Sequence, residues 1–111
     1  MTYHFLKIAP RWFSQVCNMV KSFEVRRMDR DYRVFDRLVL MEFEEGHYTG
    51  RYTVAKVRMI MTYEEFPEGL KEGYCILGIC KEIYGIDYIE TVLKPTAEAQ
   101  GINTHLLEAQ R

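Results

Sequence analysis

Residues 21–40, KSFEVRRMDRDYRVFDRLVL, decide the reading of this chain. Five arginines, one lysine, three aspartates and one glutamate stand there between two strand-like apolar runs. Ser22-Phe23-Glu24-Val25-Arg26 alternates polar and apolar side chains, the period of a half-buried strand. The expectation is that Phe23 and Val25 face a core. Ser22, Glu24 and Arg26, with Lys21 just before them, would share the opposite face. An acid, a base and a hydroxyl would then lie close together, as a site that binds or transforms a polar ligand requires. A solvated strand face with offset charges is the plain alternative.

Working outward, residues 4–9 read as a short strand. Pro10 opens a helix at its first turn, where a missing N–H costs nothing. Trp12, Phe13, Val16, Cys17 and Val20 recur at helical spacing and mark its buried stripe. Residues 22–27 are the polar-faced strand and 28–36 an Arg/Asp-rich loop. A strand over 38–43 and a turn over 44–47 follow. Residues 51–63 form the longest strand candidate, with Thr53, Ala55, Val57, Met59 and Met61 on one face and Tyr52, Val54, Lys56 and Arg58 on the other. Pro67, Gly69 and Gly73 make 64–73 a loop. Residues 74–80 carry no charge and read as a central strand. Short helices are expected near 86–93 and 103–110.

This order predicts the α+β class, as a strongly curved sheet or small barrel of about five to six mostly antiparallel strands. One early helix and a short helical C-terminal tail complete it. Residues 1–81 are expected to form the barrel domain and 82–111 an extension packed on it or partly flexible.

Composition narrows the function. The 111 residues suit one core. The net charge of −1 excludes a uniformly basic nucleic-acid binder. The charge is uneven, however. Residues 1–37 hold eight Lys/Arg against four Asp/Glu, and residues 82–111 hold two against five, which permits a local positive patch. Three cysteines, an odd number without Cys-x-x-Cys spacing, point to a reducing cytoplasm. Cys75 and Cys80 would face opposite ways along their strand, as core thiols. Tyr3-His4-Phe5-Leu6-Lys7 is too short and polar for a secretory core, and no run is long enough for a membrane helix. His4, His47 and His105 lie on different elements, so no metal site is expected. The glycines match no phosphate-loop or dinucleotide pattern, and no cofactor is expected. A monomer or weak homodimer is expected, with Leu106-Leu107 packing on the barrel or on a second copy.

Several blocks carry a resemblance. His4-x-Leu6-Lys7-Ile8, Phe13, Lys21-Ser22-Phe23-Glu24-Val25-Arg26 and Asp29-Arg30-Asp31-Tyr32-x-Val34-x-Asp36-x-Leu38-x-Leu40 stand in order. Tyr48-Thr49-Gly50-Arg51 and Gly69-Leu70-Lys71-Glu72-Gly73-Tyr74-Cys75-Ile76-Leu77 follow. Together they resemble the ASCH family of the PUA-like superfamily, in its short stand-alone bacterial and phage branch. The resemblance covers about residues 4–81. The branch has Gly near position 19 and before Asp36, where this chain has Met19 and Phe35. Glycine tolerates positive φ at little cost and these residues do not, so the turn before the 38–43 strand should be reshaped or strained.

The resemblance implies a pseudobarrel with a cleft between the early helix and the barrel mouth, binding RNA or a nucleotide-like ligand. It also implies a possible small amidohydrolase acting on a modified nucleoside such as acetylated cytidine. Lys21, Ser22 and Glu24 would be catalytic, with Lys21 as base or nucleophile, Ser22 donating to a carbonyl oxygen and Glu24 shuttling a proton. Arg26 would grip a carboxylate, phosphate or base edge. On a continuous strand Lys21 and Glu24 point to opposite faces, so only a bend brings them together. For binding, His4 and Lys7 would line the cleft. Arg26, Arg27, Arg30, Arg33 and Arg58 would meet phosphates while Tyr32 or Tyr48 stacks a base. Arg30 and Arg33 could instead pair with Asp29, Asp31 and Asp36 and only staple the loop. A protein-interaction module with no chemistry of its own remains a third reading.

Overall fold

Alternating strands give one sheet two apolar faces, and each face is covered by a different part of the chain. The structure, a computed structural model, describes residues 1–107. Its strands are β1 (Tyr3–Ile8), β2 (Phe23–Arg27), β3 (Arg37–Glu44), β4 (His47–Thr62) and β5 (Tyr74–Lys81), with α1 (Pro10–Cys17) between the first two. They form a five-stranded sheet in the order β1-β3-β4-β5-β2. β1 pairs with β3 in parallel, and the other three pairings are antiparallel. The sheet curls into a half-barrel, an α+β fold.

On the inner face Leu6, Leu38, Leu40, Val57 and Leu77 pack against Phe13 and Val16 of α1. On the outer face Phe5, Val39, Met41 and Val54 pack against Ile89, Leu93, Ala97 and Leu107 of the tail. Residues 38–42 of β3 are therefore buried whichever way they point.

The tail is longer than the expected helix near 86–93. α2 (Ile86–Tyr88) runs through a wide π-helical turn (Ile89–Leu93) into α3 (Lys94–Ala99). Pro95 gives the reason, because it lacks an N–H and its ring crowds the carbonyl four residues back, which a wider turn relieves. Of the helix expected near 103–110, residues 104–107 form one 3-10 turn, and the remainder lies outside the described residues.

Four other expectations need correction. The β2 register is inverted: Glu24 is 5% exposed while Phe23 and Val25 are 46% and 52% exposed. Glu24 stands opposite Leu77, whose side chain belongs to the inner core. A period of two defines two faces without saying which is inside, and no residue of the tail's outer core packs on β2. Second, α1 stops at Cys17, so Val20 lies beyond it, exposed, and Trp12 at its margin is exposed as well. Third, a bulge between Val57 and Met59 shifts the alternation of β4. Met59 thereby leaves the inner face and crosses over Gly78, where an added Cβ would lie 2.7 Å from its Cγ. Fourth, Cys80 is exposed rather than a core thiol.

Met19 and Phe35 adopt φ of 58° and 77°. Both positions where the resemblance calls for glycine thus keep the left-handed backbone with a side chain on it. The turn is strained rather than reshaped.

Candidate functional site

Lys21 leaves the end of the α1–β2 connection, and its ammonium turns back along the strand. Its Nζ lies 3.0 Å from Glu24 Oε1 and also donates to the carbonyl of Phe23. The junction therefore bends enough to join two residues that a straight strand would separate. Arg26 Nε donates to Glu24 Oε2 at 3.1 Å, and its Nη2 reaches across to the Lys7 carbonyl at 2.8 Å. This last bond ties β2 to β1, the two edge strands of the half-barrel. The side chains of Lys21, Glu24 and Arg26 are only 10%, 6% and 21% exposed. A carboxylate so far from water is tolerated because two cations hold both its oxygens.

Glu24 thus stands between two recesses. One, of about 340 Å³, is bordered by Trp12, Gln15, Val20, Lys21, Glu24 and Phe23. Lys21 Nζ is 4.8 Å from the Phe23 ring centre and 5.8 Å from that of Trp12. The other, of about 350 Å³, is bordered by Lys7, Arg26, Arg27, Arg30, Tyr32 and Tyr48. Lys7 Nζ sits 4.3 Å over Phe43 and 5.9 Å from the Tyr48 ring centre. The first recess offers aromatic edges beside an ion pair, and the second offers cations.

The remaining candidates are placed unevenly. Ser22 is exposed, and its carbonyl accepts from Ile79 N–H. Arg27 lies by the Tyr74 ring and donates to its hydroxyl at 3.4 Å. Arg30 pairs with Asp29 at 3.6 Å and Arg33 with Asp31 at 2.9 Å, so two of the proposed phosphate contacts carry local counter-ions. Exposed pairs of that kind contribute little, about 0–1 kcal/mol. Tyr48 is half-buried, edge-on to Phe43. Tyr32 is buried in the inner core against His4, so although it borders the second recess little of its ring is open to a base. Arg58 is exposed at the β4 bulge and borders neither recess.

His4 points inward, and its Nε2 is 2.8 Å from Asp36 Oδ2. Asp36 also accepts the N–H groups of Thr2 and Arg33, both at 2.9 Å. Burial works against its ionisation, but the His4 bond, the two backbone bonds and the charge of His4 prevail and hold its pKa below the usual value. This pair pins the Arg/Asp loop to the start of β1. Among the described residues no three His, Cys, Asp or Glu converge as a metal site. No helix among them is long and apolar enough to cross a membrane.

One polar cluster escaped the sequence reading. Glu42, buried on the inner face of β3, accepts from Thr49 Oγ1 at 2.7 Å and from Arg51 Nε and Nη2 at 2.8 and 2.7 Å. Burial opposes its charge, while the bonds from Arg51 and Thr49 outweigh it and lower its pKa. Thr49 and Arg51 both belong to β4, which begins at His47 rather than at the expected residue 51. The available signal was a lone charge in the apolar run 38–43, in phase with Leu38 and Leu40.

Comparison with known proteins gives no chemistry. The chain is 31% identical over 75 residues to an uncharacterized 12.9 kDa protein from the GpA 3′ region of Escherichia phage P2, spanning 68% of this chain and 69% of that one. Residues 3–79, from β1 into β5, match the profile of a domain of unknown function, DUF3850. The chain belongs to the DUF3850 family.

Proposed function

We propose that the cleft around Glu24 binds a nucleotide-like ligand, its planar base against Trp12 and Phe23 and its phosphate toward Lys7 and Arg27. The observation that carries this reading is the buried Lys21–Glu24–Arg26 chain, which joins an aromatic-edged recess to a cationic one. A mononucleotide suits the site better than a long RNA, because Asp29 and Asp31 already occupy Arg30 and Arg33. ASCH/PUA-like kinship is part of the same proposal. So is a reducing cytoplasm, in keeping with three free thiols.

Titration calorimetry with nucleoside monophosphates and a short single-stranded RNA tests it. Binding at low salt should weaken on salt addition and fall about tenfold in Arg26→Ala, a loss of about 1.4 kcal/mol. Absence of heat with every ligand at low salt would remove the reading.

The 3.0 Å contact between Lys21 and Glu24 favours a second activity in the same cleft, hydrolysis of an acetylated cytidine. Glu24 would take a proton from water as it attacks the acetyl carbonyl, and the Lys21 ammonium would steady the oxyanion. As the tetrahedral adduct collapses, Glu24 would pass that proton to the leaving nitrogen, the C–N bond would break, and acetate and cytidine would be released. Cytidine release by the wild type and its loss in Lys21→Ala are the expected outcomes. Unchanged turnover in that variant excludes Lys21.

A further inference from the structure

A third recess, of about 420 Å³, lies between the C-terminal turn of α1, the inner face of β4 and the segment leading from β5 into α2. It shares no lining residue with the two recesses around Glu24, and its size suits a small ligand. On its wall stands Thr53, 2% exposed, the single buried side-chain oxygen or nitrogen without a hydrogen-bond partner among the described residues. The Cys17 thiol pairs with it outside strict hydrogen-bond geometry, and sulfur is a weak donor and acceptor; burial, the largest effect on that thiol, pushes its pKa up. A buried hydroxyl normally has a partner, so this one offers a donor to whatever fills the space.

The partner's chemistry follows from the neighbours. Lys81 stands opposite Ala55, two residues along the same inner face from Thr53. Such diagonal positions lie roughly 7–8 Å apart at the backbone, and both side chains border the recess. Lys81 Nζ spends one hydrogen on the Cys17 carbonyl at 3.0 Å and keeps two. Arg51 at the rim is largely exposed but already held by Glu42, so Lys81 is the cation left for the ligand. The nearby acid Glu82 is engaged by Arg37. The remaining wall is apolar and aromatic: Phe13, Ile89, and Tyr84 stacked on Tyr52 at 6.1 Å and 11°.

We infer that this recess binds a small aromatic carboxylate. One oxygen accepts from Thr53 and the other from Lys81, and the ring lies toward Phe13 and Tyr84. Ligand-observed NMR with benzoate as the probe and benzamide as its uncharged twin tests this on the full chain. Benzoate should bind at least tenfold more tightly than benzamide. Thr53→Val keeps the shape, removes a hydroxyl that has no good partner and should not lower the urea midpoint, yet it should weaken benzoate about tenfold. Lys81→Met should do the same, while Lys21→Ala leaves benzoate unaffected. Equal binding of the two probes, no binding of either, full affinity in Thr53→Val, or displacement of benzoate by a nucleoside monophosphate would each overturn the inference.

Discussion

Replacing Met19 by glycine should stabilise this fold by an amount that its backbone sets. Met19 follows the C-cap Asn18 of α1, donates its N–H to the Val16 carbonyl at 3.1 Å and holds φ at 58°. That is the position where helices commonly end in a left-handed glycine. A side chain there costs about 1–2 kcal/mol through its Cβ, whereas glycine gives up roughly 0.5–1 kcal/mol of extra freedom in the unfolded chain. The difference is about 0.5–1 kcal/mol in favour of glycine. Met19 is exposed, so little burial is lost with its side chain. With a urea slope of about 1–3 kcal/mol per molar, the midpoint should rise by a few tenths of a molar. Met19→Ala keeps the Cβ and serves as the control. A Met19→Gly midpoint no higher than that of Met19→Ala would refute the strain argument. Phe35→Gly should gain less, although its φ of 77° is as unfavourable, because it also removes the ring that lies 5.2 Å from Lys56 Nζ.

Three other outcomes follow from the packing and the charges. Leu93→Ala should cost about 2–5 kcal/mol, because Leu93 is fully buried in the outer core; a urea midpoint near wild type would mean that the tail adds nothing to the barrel. The carboxyls of Asp36 and Glu42 are held below their ordinary values, so their stabilisation is complete above the usual carboxylate range and lost as pH falls through the lowered values. The urea midpoint should therefore drop below about pH 4, and Asp36→Asn should flatten that acid limb; identical profiles would contradict the assignment. Glu24→Gln should cost about 1–3 kcal/mol by leaving Lys21 and Arg26 on a neutral partner, a loss that thermal or urea unfolding measures and that an unchanged midpoint would rule out.

Much of the fold was legible because strand and helix periods, proline at a helix start and glycine-rich turns are local signals. They located β1, α1, the β3–β4 hairpin, the extended β4 and the uncharged β5. They also singled out Lys21, Glu24 and Arg26. The site was read less well, because each miss turned on something non-local. Tyr32 reads as an exposed loop aromatic but is buried against His4. Glu42 waits for Thr49 and Arg51 from the next strand. Thr53 acquires meaning only when α1 and the chain after β5 close a space around it.

The amino-acid order alone determined where strands and helices run, that the class is α+β, and that an acid lies among bases at the α1–β2 junction. Tertiary structure decided which side of β2 faces inward, where β4 bulges and which cations meet Glu24. The physical reason is that periodicity is a property of neighbours along the chain. The inside of a sheet, by contrast, is defined by what packs on it, and here that comes from α1 and from a tail up to about a hundred residues away in sequence.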